Sequence, residues 1–158
     1  MATMKFAVPC LFGLEGLVGD ELRRLALDDV QVENGRVLCS GTEADIARLN
    51  INLRCGERVL LLLASFPARS FEALFQGTAA VAWEDYIPGD GQFPVKGFTL
   101  DSMLHSVPDC QRIVKKAVVD RLGRAYGMER LPETGAKFQI QFAIQKDQCF
   151  LYLDTSGA

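Results

Sequence analysis

Metal-ligand chemistry is scarce in this sequence: it has one histidine, His105, and its five cysteines, Cys10, Cys39, Cys55, Cys110 and Cys149, stand singly with no C-x-x-C pair. A zinc site needs several such ligands at short spacing, so no metal centre is expected. An odd number of scattered thiols, with no charged head and apolar run at Met1 to Cys10, reads as free cysteine in a reducing compartment, and a cytoplasmic location is the expectation. Long hydrophobic runs are missing too. The longest, Val59 to Ala64, falls far short of the roughly 20 residues that cross a bilayer, so no membrane association is expected. There is no excess of positive charge: 17 Lys and Arg stand against 20 Asp and Glu, a net charge of -3. Any binding to a polyanion must come from a local patch. Gly13, Gly16 and Gly19 are wrongly spaced for a nucleotide loop and read as helix-packing glycines.

What is present is the composition of a soluble globular protein, 49% hydrophobic and 23% charged over 158 residues, enough for one ordinary domain or two small ones. Lys5–Pro9 predicts a strand. Leu14, Leu17, Val18, Leu22 and Leu25 recur at helical spacing and predict a helix through Leu27. Val30–Glu33 and Arg36–Cys39 alternate around Asn34-Gly35, a strong hairpin signal because both turn residues tolerate positive φ. Thr42 with Asp45 marks a helix start, and Ile46, Leu49 and Leu53 form its apolar stripe to Arg54. Arg58–Phe66 predicts a strand covered on both sides and ended by Pro67. The order β-α-β-β-α-β over residues 1–66 is that of the ferredoxin-like α/β sandwich.

From Ser70 the pattern changes, and residues 67–158 are expected to form a second domain packed on the first. A helix is predicted to Ala80 with Phe71, Leu74 and Phe75 on one side, and a strand at Phe93–Phe98. A long helix follows from about Pro108 to Tyr126, with Ser106 as cap and Gly127 as stop. A closing hairpin joins Lys137–Ile144 to Cys149–Leu153 across Gln145-Lys146-Asp147-Gln148. On a helical wheel, Cys110, Ile113, Val114, Ala117, Val118, Leu122 and Ala125 share one side of the long helix, while Arg112, Lys115 and Lys116 project within about 100° of one another on the other. A compact cationic face on an acidic protein invites phosphate. The alternative reading is the solvated surface that any amphipathic helix presents.

Arg121 falls toward the apolar side and is expected to snorkel or pair with a carboxylate. Arg54, Arg58 and Arg69 are expected to pair with Glu57 or Glu72 as readily as with phosphate. Cys110 near His105 suggests a thiolate–imidazole pair, but its apolar side favours a buried cysteine. Trp83, Tyr86, Phe93 and Phe98 would stack on unpaired bases only if exposed, and are read as core.

Phe12-Gly13-Leu14-Glu15 with Glu21-Leu22, Asn52-Leu53-Arg54 with Glu57–Leu61, Phe71–Phe75, Trp83-Glu84, Ser106–Gln111 with Val114–Ala117, and Leu153–Gly157 occur in an order and spacing that resembles the amino-terminal half of the bacterial 23S ribosomal RNA guanine methyltransferases. The resemblance implies an α+β architecture, a ferredoxin-like α/β sandwich followed by a THUMP domain that binds RNA. In that family a methyltransferase domain using S-adenosylmethionine follows. Here there is neither a G-x-G-x-x-G loop nor an Asn-Pro-Pro or Asp-Pro-Pro motif to hold a target amine, so this chain alone is expected to have no catalytic residues, no cofactor and no methylation activity. After Lys96-Gly97 the sequence also departs from the relatives' further basic and hydroxyl residues, carrying Phe98, Thr99 and Asp101 instead.

The functional expectation is an RNA-binding module that positions structured RNA, 23S ribosomal RNA by the resemblance, for a methyltransferase domain outside this chain. Lys96, Arg112, Lys115 and Lys116 are the candidate phosphate contacts. The rivals are a protein-interaction module that binds no RNA and the targeting module of a DNA adenine methylase. Oligomeric state, target nucleotide and RNA element are left open by the sequence.

Overall fold

The computed structural model describes residues 3–33, 35–52 and 58–155. Asn34, Leu53, Arg54, Cys55, Glu57, Ser156 and Gly157, which enter the sequence reading, lie outside the described residues. The chain separates into two compact units and passes from one to the other within a strand, at Leu62–Leu63.

The first unit contains β1 (Met4–Pro9), α1 (Glu15–Arg24), β2 (Asp28–Glu33), β3 (Arg36–Gly41), α2 (Glu43–Asn52) and the start of β4 (Leu60–Pro67). Its strands run in the order β2-β3-β1-β4, each antiparallel to its neighbour. This is the ferredoxin-like arrangement expected from the element order. Phe6 and Val8 of β1, Val18 and Leu22 of α1, Val37 and Cys39 of β3 and Leu49 of α2 are buried in it. Glu33 pairs with Arg36 across the expected hairpin, and Gly35 takes φ +79°. At the start of α2 the Asp45 carboxylate accepts the Thr42 amide at 2.8 Å, half of a capping box.

Helix α1 ends at Arg24 rather than Leu27. Ala26 turns left-handed at φ +62°, while its amide bonds the Arg23 carbonyl and the Leu27 amide reaches the Leu22 carbonyl. That pair of bonds is a Schellman ending, formed here without a glycine to announce it. Strand β4 is not covered on both sides throughout: Leu60 and Leu61 are buried, whereas Ser65 and Pro67 are exposed.

The second unit, Leu63–Leu153, contains the rest of β4, α3 (Phe71–Ala79), a 3-10 turn (Trp83–Asp85), β5 (Val95–Leu100), α4 (Val107–Tyr126), β6 (Ile140–Gln145) and most of β7 (Gln148–Asp154). Its strand order is β4-β7-β6-β5. Strand β5 runs parallel to β6, and β6 antiparallel to β7. Ser70 caps α3, its Oγ accepting the Ala73 amide at 3.1 Å. Ser106 caps α4 with Pro108 in the first turn, and Gly127 at φ +65° stops it. Lys146 and Asp147, at φ +50° and +65°, form the two-residue turn between β6 and β7, and two positive φ values suit a type I′ turn.

The core of this unit joins Cys110, Val114, Val118 and Leu122 of α4 to Val95, Ile140, Phe142, Ile144 and Leu151 of the sheet. Ala125, expected on the apolar side of α4, is exposed because its position lies in the last turn, beyond Leu122. Trp83 is fully buried and donates Nε1–H to the Thr78 carbonyl at 2.8 Å. Strand β5 starts two residues later than expected. Phe93 is instead a core residue, and Pro94, with no N–H for a ladder, accepts the Ile140 amide at its carbonyl. No described helix is long and apolar enough to cross a membrane.

Candidate nucleic-acid interface

The three basic residues of α4 meet different surroundings. Arg112 is on the surface, its side chain 72% exposed, and its guanidinium reaches Asp109 at 2.7 Å one turn back. Such an exposed pair contributes about 0–1 kcal/mol, so a phosphate can displace the carboxylate. Lys116, one turn on, is exposed and has no partner among the described residues. It borders an open groove of about 490 Å³ with Phe75, Val119, Arg124 and Met128. Arg124 is held there by Asp120 at 3.0 Å.

Lys115 turns toward the sheet. Its ammonium is 2.6 Å from Glu133, donates to the Phe93 carbonyl at 3.1 Å and sits 3.7 Å above the centroid of the Phe93 ring. Helical spacing explains this: Gln111, one turn earlier on the same stripe, donates to the Val95 carbonyl. Gln111 therefore ties α4 to β5 and Lys115 ties it to Phe93 just before that strand, while 112 and 116 face outward. Sequence spacing shows the shared arc but not Glu133, which arrives from a loop 18 residues on.

Lys96 is exposed, again without a partner among the described residues. It stands on β5 next to Val95, and neighbouring side chains of a strand point to opposite faces. Val95 belongs to the core against α4, so Lys96 faces away from that helix. The four candidate residues thus form no single patch. Arg112 and Lys116 share the outer side of α4, Lys115 is engaged beneath them, and Lys96 lies on the other face of the sheet.

Arg121 pairs with Glu84 at 2.7 Å and donates to the Ala79 carbonyl, which pins α4 to the 3-10 turn. Hydrogen bonding to Arg121 holds the Glu84 carboxyl below its ordinary range. Arg58 meets Asp154 at 2.5 Å and Arg69 meets Asp147 at 3.4 Å. Glu57 lies outside the described residues, and the described partners of these two arginines are aspartates far along the chain. Burial pushes the Cys110 thiol up, with Asp109 adding to it, so Cys110 is a buried thiol and not an activated nucleophile. Trp83 and Phe93 are core, but Phe98 is 48% exposed and Tyr86 37%. No group of His, Cys, Asp and Glu among the described residues is arranged to hold a metal ion.

Both units of the chain match known protein families. The model of the RlmL ferredoxin-like domain matches residues 5–60, and that of the THUMP domain matches residues 68–154. The chain is 42% identical over 147 residues to "Putative RNA methyltransferase YpsC" of Bacillus subtilis, covering 92% of this chain and 38% of that protein. It is 29% identical over 149 residues to the ribosomal RNA large subunit methyltransferase K/L of Pseudomonas putida, covering 94% of this chain and 20% of that protein. The structure of SMU.472, described as a putative methyltransferase complexed with SAH, superposes with a TM-score of 0.90 at 42% identity, over 98% of this chain and 42% of that one. The chain therefore spans well under half the length of these relatives. With a ferredoxin-like fold ahead of a domain whose family model covers more than half its residues, the chain belongs to the THUMP family, in the arrangement of an RlmL-type ferredoxin-like domain followed by THUMP.

Proposed function

We propose that this chain is the RNA-binding part of a ribosomal RNA methyltransferase, holding structured RNA of the large subunit for a catalytic domain that uses S-adenosylmethionine and lies outside residues 1–158. The reading rests on THUMP membership together with relatives named as RNA and ribosomal RNA large subunit methyltransferases, one neighbour being complexed with SAH. Its work would be cytoplasmic and would consist of positioning, with no catalytic residue in this chain.

The observation that carries the site is the exposed ammonium of Lys116, which has no partner among the described residues, beside the weakly paired guanidinium of Arg112 on the outer side of α4. A net acidic protein has no general attraction for RNA, so exposed cations on one helix side are the places where phosphates can release counterions. Lys115 supports this side from beneath, and Lys96 adds a cation on the other face of β5.

The test is binding of the chain to a structured large-subunit RNA fragment across a salt series, with the double variant Arg112→Gln and Lys116→Gln alongside. Wild type is expected to bind with a linear log-affinity against log-salt dependence, and loss of two phosphate contacts flattens its slope by about 1.5. An equal slope in the variant would refute the α4 site. Preference for duplex DNA in direct competition, or no RNA binding at all, would replace the reading with one of its rivals.

A further inference from the structure

Strand β5 ends its sheet, with β6 as its one neighbour. Helix α4 lies against the face bearing Val95 and Phe142. The opposite face carries Lys96, Phe98 and Leu100 in a row, and the parallel register sets Lys96 beside Gln141, Phe98 beside Ala143 and Leu100 beside Gln145. Phe98 is 48% exposed and Leu100 56%. A strand at 3.3 Å per residue places Lys96 and Leu100 about 13 Å apart. At the far end the Lys146 amide donates to the Leu100 carbonyl at 3.1 Å, which brings a second exposed lysine, without a partner among the described residues, next to the row. No carboxylate occupies an outward position on β5 or β6. Asp147, nearby, is spent on the Met103 amide and Arg69, and Asp101 lies past the strand end.

The face therefore offers an exposed aromatic ring between two cations, with two side-chain amides along one side. Those are the groups that unpaired nucleotides use: a ring for base stacking, ammonium groups for flanking phosphates and amides for base edges. A duplex hides its base faces and would leave Phe98 unused. A lysine at either end of a row whose strands carry no carboxylate argues for a polyanion over a protein surface.

We propose that the outer face of β5 and β6 is a platform for a single-stranded stretch of RNA, with a base stacked on Phe98 and adjoining phosphates held by Lys96 and Lys146. The platform rests on the RNA-binding reading above and is separate from the α4 site, so one RNA that bends around the edge strand can use both.

A hairpin from large-subunit RNA, blunt or carrying a short single-stranded uridine extension, tests it. Wild type is expected to bind the extended form about ten-fold more tightly, the effect of one good stacking contact. Phe98→Ala should bind the two forms alike and leave blunt-hairpin affinity unchanged. Phe98→Trp should restore the difference, with its fluorescence quenched by the extension, whereas Phe98→Leu, apolar but without a ring to stack, should not. Equal binding of both forms by wild type, or a difference that survives Phe98→Ala, would overturn the platform while the α4 site stands. Binding of neither form would sink both. Self-association of the chain that Phe98→Ala abolishes, with RNA affinity unchanged, would make the face a contact between copies and overturn the proposal.

Discussion

Replacing Lys115 by Gln separates the supporting from the contacting cations of α4. The ammonium makes three contacts: Glu133 at 2.6 Å, the Phe93 carbonyl at 3.1 Å and the Phe93 ring at 3.7 Å. The Lys115 and Glu133 side chains are each about a third exposed, so the ion pair is screened and contributes at most about 1 kcal/mol. The ring contact adds about 0.5–1 kcal/mol and the hydrogen bond a similar amount. Gln keeps part of the stem packing, and the three contacts share one group and do not add fully. A net loss of about 1–2 kcal/mol follows. For a domain of this size each kcal/mol lowers Tm by about 4–8 °C, so calorimetry of Lys115→Gln should show a fall of about 5–15 °C. Its salt slope for RNA should stay within a few tenths of wild type. Lys116→Gln, whose ammonium touches no described partner, should behave the opposite way, with Tm unchanged and the slope reduced by about 0.7–0.9. A Lys115→Gln protein with unaltered Tm and a slope reduced like that of Lys116→Gln would show that Lys115 is free to meet phosphate, and would refute this division.

Gly97 offers a packing test: a Cβ there would fall on the carbonyl and ring of Phe142, its register partner on β6, and backbone cannot move aside without breaking the ladder. Gly97→Ala should therefore destabilise by about 1–3 kcal/mol in thermal unfolding, and an unchanged Tm would show that β5 is set otherwise. Glu84, held below its ordinary carboxylate value by Arg121, stabilises the fold at pH values above about 4.3 and loses that contribution as pH falls through its lower folded value. Glu84→Gln should weaken the acid-induced fall in stability, whereas an unchanged pH profile would show that the pair contributes nothing measurable. Burial pushes the Cys39 and Cys149 thiols up to about 12 and raises Cys110 as well. Alkylation of the native protein near pH 8, mapped by mass spectrometry, should spare all three and label them after denaturation. Native labelling of Cys149 would contradict its burial.

The parts of the fold that a sequence can announce are those whose signal is local. Ser106, Pro108 and Gly127 bound α4 because a cap, a fixed φ and a left-handed stop each act within one turn. Asn34-Gly35 marks a hairpin for the same reason, whereas the turn between β6 and β7 shows in the sequence as a break in strand alternation at Gln145-Lys146-Asp147-Gln148. Ala26 is left-handed without being glycine, so the end of α1 carries no such mark. The site was legible as an arc of charge on α4, which periodicity alone defines. The partners that divide that arc come from far along the chain: Glu133 for Lys115, Asp154 for Arg58 and Asp147 for Arg69. No spacing rule reaches across 18 to 96 residues.

Lys96 and Phe98 follow from the same distinction. A helix wheel groups residues by one element's period, but whether a strand residue joins that group depends on which side of the strand the helix packs. Val95 meets α4 in the core, and strand alternation then assigns Lys96, two residues before Phe98, to the opposite face together with it. The departure at Phe98, which weakens β5 as a phosphate site when basic residues alone are sought, places an exposed ring between two lysines once the face is built. An edge strand with a helix on one side and an open face on the other can serve a paired and an unpaired part of one RNA. Its two faces are kept apart by the core residues Val95 and Phe142, so substitutions on one face should leave binding at the other intact.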